Sequence, residues 1–440
     1  MNSVSSDIET TPKDSGAAAV QQRRLYSVAP TRQLLELSET RMRRGRGRGG
    51  RGKGRGRGRR FLSPPPPPPL PTTASVEEQA QQPSDLAAHC DKFELSPPSE
   101  CRRKLPCDLR TFDPGPRFNR FVIEGRYGRE RRWAENNVDP ANRYFQNGVE
   151  WWVHRALPPA TSDVKALRGA KRVFIAAYFS YFWIFASHLA QQAARKASTA
   201  LGRQWRNNPS HYAVAHGHPG SCIRETAGQY RLLVDADMSC SGSARSIAVP
   251  YVVSHPSWLV AAELPPTSRT TLLFFRGHLP RSSIDTKNVR RYLMQSLAGQ
   301  QGVVIEAATA IKNASYQPHE AYLRRMIQST FCLAPRGDTA SSRRVYEAIA
   351  AGCIPVIIAD DLNLPFEKRL KYTDFSVRFT EKFALRQPLA MLKQLREMPL
   401  SKVQAMQASL MKARPSFLWH TDPSRPSAVD QILVELCEAP

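Results

Sequence analysis

The segment STFCLAPRGDTASSRRVYEAIAAGCIPVIIAD, residues 329–360, changes its hydrophobic period twice within one short span. Phe331 to Leu333 reads as a buried strand and Ala334 to Ser342 as a loop containing a Pro-Arg-Gly-Asp turn. Arg343 to Ala351 then reads as an Ala-rich helix, and the run opened by Gly352-Cys353-Ile354-Pro355 as a second buried strand. Strand, helix, strand implies a parallel pair, because parallel neighbours need a crossover of a dozen or more residues. The alternation recurs through HYAVAHGHPG, RLLVDAD, SIAVPYVV, TTLLFFRGHLPR, TKNVRRYLMQSLAG, GVVIEAA and HEAYLRRMIQSTFCLAP. The expected class is therefore α/β with open parallel sheets. With 440 residues two such sheets fit, over 105–255 and 256–440, with AMLKQLREMPLSKVQAMQASLMKA among the closing helices.

Ahead of them, residues 1–104 read as a disordered tail. RGRGRGGRGKGRGRGRR (44–60) has no apolar side chain to bury, and the following proline run suits an extended segment. Residues 1–60 hold 15 Lys/Arg against 5 Asp/Glu, so 10 of the 25 net positive charges sit there and 15 remain for the rest. A basic folded part favours phosphate-bearing or acidic partners. The Arg/Gly tract could bind RNA or another acidic partner, or be only a solvated tail. No segment near Met1 reads as a signal peptide or anchor. The apolar core of VFIAAYFSYFWIFASHLA, Val173 to Phe185, is shorter than the roughly 20 residues a bilayer requires, so it reads as a strand running into a helix. Trp151 and Trp152 recur at helical intervals with their neighbours and read as core.

The eight cysteines show no CxxC spacing, which argues against structural zinc. Cys332 and Cys353, in apolar runs, read as buried thiols. Cys101 and Cys107 could bridge in an oxidising lumen, where the sequon at Asn313 would also matter.

Ligands of open α/β sheets bind beyond the carboxyl ends of strands, and a helix start is a natural anion seat. Ser341 or Ser342 would cap the helix that begins at Arg343, while Arg336, Arg343 and Arg344 offer guanidinium groups for phosphate. Glu347 could accept from a pair of ribose hydroxyls, a combination that suits a nucleoside diphosphate. The plain alternative is that Arg344 and Glu347 pair with each other on a solvated helix face, worth about 0.2–0.5 kcal/mol.

FFRGHLPR, STFCLAPRGD, SSRRVYEAIAAGCIPVIIADDLNLPFE and YTDFSV together resemble the exostosin family of glycosyltransferases, in order and spacing, over residues 272–377. PGPRFNRF, VFIAAYFSYFW and SIAVPYVVSHPSWL resemble it more loosely, so the likeness spans about 105–435. The resemblance implies a GT-B arrangement, two Rossmann-like domains facing across a cleft. It implies inverting, metal-independent transfer of a hexosyl or glycuronosyl group from a nucleotide-sugar cosubstrate to a glycan or glycoprotein, with no cofactor. It also implies a Golgi membrane location. Carried over by position, Arg276, Ser342 and Arg344 would contact the diphosphate and Glu347 the ribose. Asp338 matches a family aspartate, though a Gly-Asp turn can be purely structural, and Arg336 falls at a variable position. Asp235, Asp237 and His218 are candidate bases, with Glu225 and His211 also available. Asp235-x-Asp237 would suit a metal clamp or equally a strand end. Where relatives carry His-Asp this chain has His218-Pro219. The rival reading is an RNA-binding protein with a noncatalytic exostosin-like domain.

Overall fold

The computed structural model describes residues 89–90, 97–123, 148–185, 187–217, 223–234, 245–253, 268–277, 289–307, 319–337 and 339–440. All of them belong to the unit Thr73–Pro440. They form two five-stranded parallel sheets, the α/β class expected. The first contains β1 (Leu109–Phe112), β2 (Arg172–Ile175), β3 (Tyr212–His216), β4 (Tyr230–Leu233) and β5 (Ser246–Ala248), paired in chain order. The second contains β6 (Thr271–Gly277), β7 (Val303–Ala307), β8 (Ser329–Pro335), β9 (Ile354–Ile358) and β10 (Val377–Arg378), in the order β10-β9-β8-β6-β7.

β2, β3, β4 and β9 are buried at every residue, as strands of a parallel sheet covered on both faces are; β9 is apolar throughout, while Arg172, His216 and Arg231 are the buried polar residues of the other three. Pro355 lies within β9, yet β10 pairs only with Val356 and Ile357. The proline therefore falls where β9 has no β10 neighbour, which a residue lacking N–H tolerates. Val173 to Phe185 folds as read, a strand followed by the helix Phe179–Phe185, and no helix among the described residues is long and apolar enough to cross a membrane. Trp151 and Trp152 are core, edge to face with each other, and Trp152 also packs against Trp419.

Three disulfides join described cysteines, and each departs from the sequence expectation. Cys332 and Cys353 are bonded to each other rather than free. Cys101 pairs with Cys90, and Cys107 pairs with Cys437, 330 residues away, so the 101–107 bridge that the sequence left open does not form. The Cys332–Cys353 bond ties β8 to the entry of β9 and closes the unit that carries the helix Arg343–Ala350.

The chain's last helix, Ala428–Glu438, returns to the first sheet. Arg172 of β2 donates through Nε to Leu436 O at 3.0 Å, and Tyr230 of β4 donates to Pro440 O at 2.6 Å. Residues 97–104, assigned to the tail, are folded against this end. Arg103 is buried, donates to His420 O at 2.9 Å and pairs with Asp430 at 3.1 Å. The longer range of these contacts is why composition did not reveal them. The Arg/Gly and proline-rich segments lie outside the described residues.

Candidate functional site

In the second sheet the chain leaves β6 for β7 on one side, then crosses back over β6 to β8. The connections after β6 and β8 therefore diverge, and it is at the carboxyl ends of strands at such a reversal that ligands of open parallel sheets bind. In the first sheet the described strands run in chain order without a reversal. Topology thus selects the mouth between β6 and β8.

Arg276 is the penultimate residue of β6, in register with Glu306 of β7, and Arg336 directly follows β8. Beyond them stands the helix Arg343–Ala350. Ser342 is its N-cap, in extended conformation, with Oγ accepting from Arg344 N–H at 3.4 Å. The helix ends in a Schellman motif, in which Gly352 N–H donates to Ile349 O (3.1 Å) and Cys353 N–H to Ala348 O (2.9 Å). Gly352 takes φ +65°, which a glycine accepts without strain. The turn sends the chain straight into β9.

Arg344 and Glu347 do pair, but in the interior rather than on a solvated face. Glu347 is 4% exposed. Its Oε1 lies 3.0 Å from Arg343 Nε, and its Oε2 meets Arg344 Nη1 and the Tyr322 hydroxyl, the latter at 2.7 Å. Arg344 Nε donates to the carbonyl of Arg276 at 2.7 Å, and its guanidinium lies 5.2 Å from the Tyr322 ring centre. The Arg276 guanidinium lies over the same ring at 5.8 Å and 3.9 Å from Glu306. Burial opposes ionisation of Glu347, but Arg344, Arg343 and the Tyr322 hydroxyl outweigh it, so the carboxyl is held below its usual range. Burial likewise opposes the charge on Arg344, and Glu347 more than restores it, raising its pKa. Burial drives the Tyr322 hydroxyl upward, so it stays a donor. The result is a fixed positive surface at the positive end of a helix.

Arg336 is turned to another task in this structure. Its Nη1 is 3.1 Å from Glu381, a buried carboxylate that also accepts from Asp360 N–H (3.1 Å), while Asp360 accepts from Glu381 N–H (2.9 Å). This ties β8, the end of β9 and the helix Glu381–Arg386 together.

Arg276, Arg336, Ser342, Arg344 and Glu347 thus converge at one sheet edge. Asp338, Asp235, Asp237 and His218 lie outside the described residues. His211 precedes β3, at the amino end of that strand and away from the edge where ligands bind. Sequence reasoning missed Tyr322, Glu306, Arg290 and Glu381. Glu306 carried a signal, a carboxylate at the end of an apolar strand; Tyr322 carried none, since only packing of the β7–β8 crossover helix brings it under Arg344.

The carboxyl ends of β1 to β3 hold a second polar group. Glu150 is buried and accepts from Ser180 N–H (2.8 Å) and the Ser180 hydroxyl, capping the helix Phe179–Phe185. Burial raises its pKa to about 7, against hydrogen bonds from Ser180 that lower it. His154, hydrogen-bonded to the Tyr178 hydroxyl at 3.2 Å, is lowered by burial to about 4 and so stays neutral.

A family profile described as the Exostosin GT47 domain matches residues 146–395. A probable arabinosyltransferase of Arabidopsis thaliana is 34% identical over 173 residues, 39% of this chain and 37% of the relative. A probable glucuronoxylan glucuronosyltransferase of the same plant is 28% identical over 181 residues, with 39% and 37% covered. A probable glucuronosyltransferase of Oryza sativa subsp. japonica is 34% identical over 183 residues, with 39% of each chain covered. The matched region is less than two fifths of the length of each of these relatives. The Anabaena protein HepE, solved in complex with UDP, aligns over 76% of this chain and 100% of its own, at TM-score 0.33 and 9% identity, a likeness too distant to carry weight.

Proposed function

The chain belongs to the exostosin GT47 family, whose profile takes in more than half of it, and on that premise we propose that it is a glycosyltransferase drawing on a nucleotide-sugar donor. The observation that carries this reading is the gathering of Arg276, Arg343, Arg344 and a capped helix start at the reversal point of the second sheet. The acceptor is a glycan or glycoprotein. The relatives' names suggest pentosyl or glycuronosyl transfer, so UDP-arabinose, UDP-glucuronic acid and UDP-xylose are the first donors to try.

In the reaction an acceptor hydroxyl attacks the anomeric carbon, the new C–O bond forms as the bond to the diphosphate breaks, and the hydroxyl proton passes to a base. One displacement of this kind inverts the anomeric configuration. Arg276, Arg344 and the first helix amides stabilise the charge that develops on the departing diphosphate, supplying fixed positive charge without need of a metal. The Ser342 hydroxyl holds the mouth of the helix in shape. Glu347 keeps Arg343 and Arg344 charged and oriented. A carboxylate has about four acceptor sites, so Glu347 has capacity for a ribose hydroxyl besides its three donors. We assign the proton to one of His218, Asp235 and Asp237, which follow β3 and β4 in the chain.

Three disulfides among the described residues suit an oxidising compartment, in keeping with a Golgi lumen. The test is a panel of nucleotide sugars screened for protection of the full chain against thermal unfolding, followed by acceptor trials with the one that protects. A ligand that binds only the native state raises its apparent stability, by about 2.7 kcal/mol at 100 times Kd. If no nucleotide sugar or nucleoside diphosphate shifts the melting temperature at millimolar concentration, the donor-site reading fails.

A further inference from the structure

Arg290 is a residue that neither motif nor family position singled out. It is the second residue of the helix Val289–Leu297, in the crossover from β6 to β7, on the other side of the reversal point from the β8 loop. Its guanidinium nevertheless reaches across. Nε donates to Arg336 O at 2.9 Å, and Nη2 lies 3.4 Å from Ser342 Oγ, the cap that also receives Arg344 N–H. Gly337 makes room for it. A Cβ on Gly337 would sit 2.4 Å from Nη2 and 3.0 Å from Cζ of Arg290.

Three guanidinium groups, those of Arg290, Arg343 and Arg344, meet at one helix start, where the backbone adds partial positive charge and Glu347 balances the latter two from behind. A phosphate at this mouth would be met by all of these at once, and a guanidinium matches phosphate oxygens in geometry as well as charge.

We propose that Arg290 is a phosphate-binding residue of the donor site, admitted to the helix mouth by the missing side chain at Gly337. The inference rests on the donor-site reading above and adds a residue to it from the opposite crossover. Gly337→Ala supplies a test that keeps the charge. The atoms it would strike are the far end of a flexible side chain, so the fold adjusts cheaply and the guanidinium is displaced.

The experiment compares the full-length wild type, Arg290→Met, Arg290→Lys and Gly337→Ala. Calorimetry measures their affinity for UDP, GDP and ADP, and ligand-detected NMR their affinity for the matching nucleosides. For whichever diphosphate binds the wild type, Arg290→Met and Gly337→Ala are expected to bind it roughly ten- to hundredfold more weakly, with nucleoside affinity unchanged and partial recovery in Arg290→Lys. Diphosphate affinity unchanged in Gly337→Ala and Arg290→Met overturns the proposal while leaving the donor site standing, as does an equal loss for nucleoside and diphosphate, which marks a structural strap. Should Arg290→Met not fold, Gly337→Ala decides alone. A wild type that binds none of the three diphosphates removes the donor site and this inference with it.

Discussion

Replacing Glu347 by Gln keeps the shape of the side chain and removes its charge. The carboxylate serves two arginines and a tyrosine hydroxyl, with only 5% of its own side chain exposed, whereas Arg343 and Arg344 keep 14% and 23%. A contact to a charged group contributes about 1.5–3 kcal/mol, and breaking a buried pair by removing one partner costs about 3–5 kcal/mol. The residual exposure of both arginines screens part of this, so the expected loss at pH 7 is about 3 kcal/mol. That corresponds to a melting-temperature drop of roughly 5 °C for a domain of this size. The assay is differential scanning calorimetry of wild type and variant across pH. The folded-state pKa of Glu347 is depressed, so its contribution is fully present above the unfolded value, about 4.3, and fades as pH falls through the lower folded value. The two melting curves should therefore converge below about pH 4. Donor affinity should fall in the same variant, because Arg343 and Arg344 lose their common anchor. A variant that melts within about 1 °C of wild type at pH 7 would refute the view that this carboxylate organises the site.

Glu150 gives the opposite sign. Its folded-state pKa, about 7, stands above the unfolded value, so the native state holds the extra proton and stability is lost as pH rises from about 4.5 to 7. Glu150→Gln should abolish that loss and melt higher than wild type at pH 8, by up to about 3 kcal/mol, readable in the same calorimetric series; a lower melting point there would show that the amide cannot replace the carboxyl as the cap of Ser180. Cys437→Ser opens the loop of 330 residues to Cys107, for which chain entropy predicts a loss of about 6 kcal/mol at most. Thermal unfolding of the variant under oxidising conditions, with equal melting temperatures as the refuting result, checks it.

The unit from β8 through the capped helix to β9 was legible because its signals are local: an apolar run, a cap, a 3.6-residue pattern and a terminal glycine, all within thirty residues. Arg276, Ser342, Arg344 and Glu347 meet there because strand ends and helix starts of one parallel sheet share an edge. What escaped was non-local. The spacing of Arg344 and Glu347 says that they lie on one helix face, but whether that face meets water depends on Tyr322, which arrives from the preceding crossover. Arg290 reaches Ser342 from fifty-two residues upstream, a distance no periodicity spans. The pairing of Cys107 escaped for the same reason, since its partner Cys437 is set by how the last helix folds back, whereas Cys101 takes a local partner, Cys90.

The bond between Cys107 and Cys437 also sets an order of events during biosynthesis. At about 5–20 residues per second, Cys437 is made roughly 15–70 s after Cys107. Cys90 and Cys101, separated by 11 residues, become available to each other within a few seconds. Through that interval Cys107 waits for its native partner, while Cys101, six positions away, already has Cys90 within reach. Early closure of Cys90–Cys101 removes the nearest competing thiol and leaves Cys107 for its distant partner.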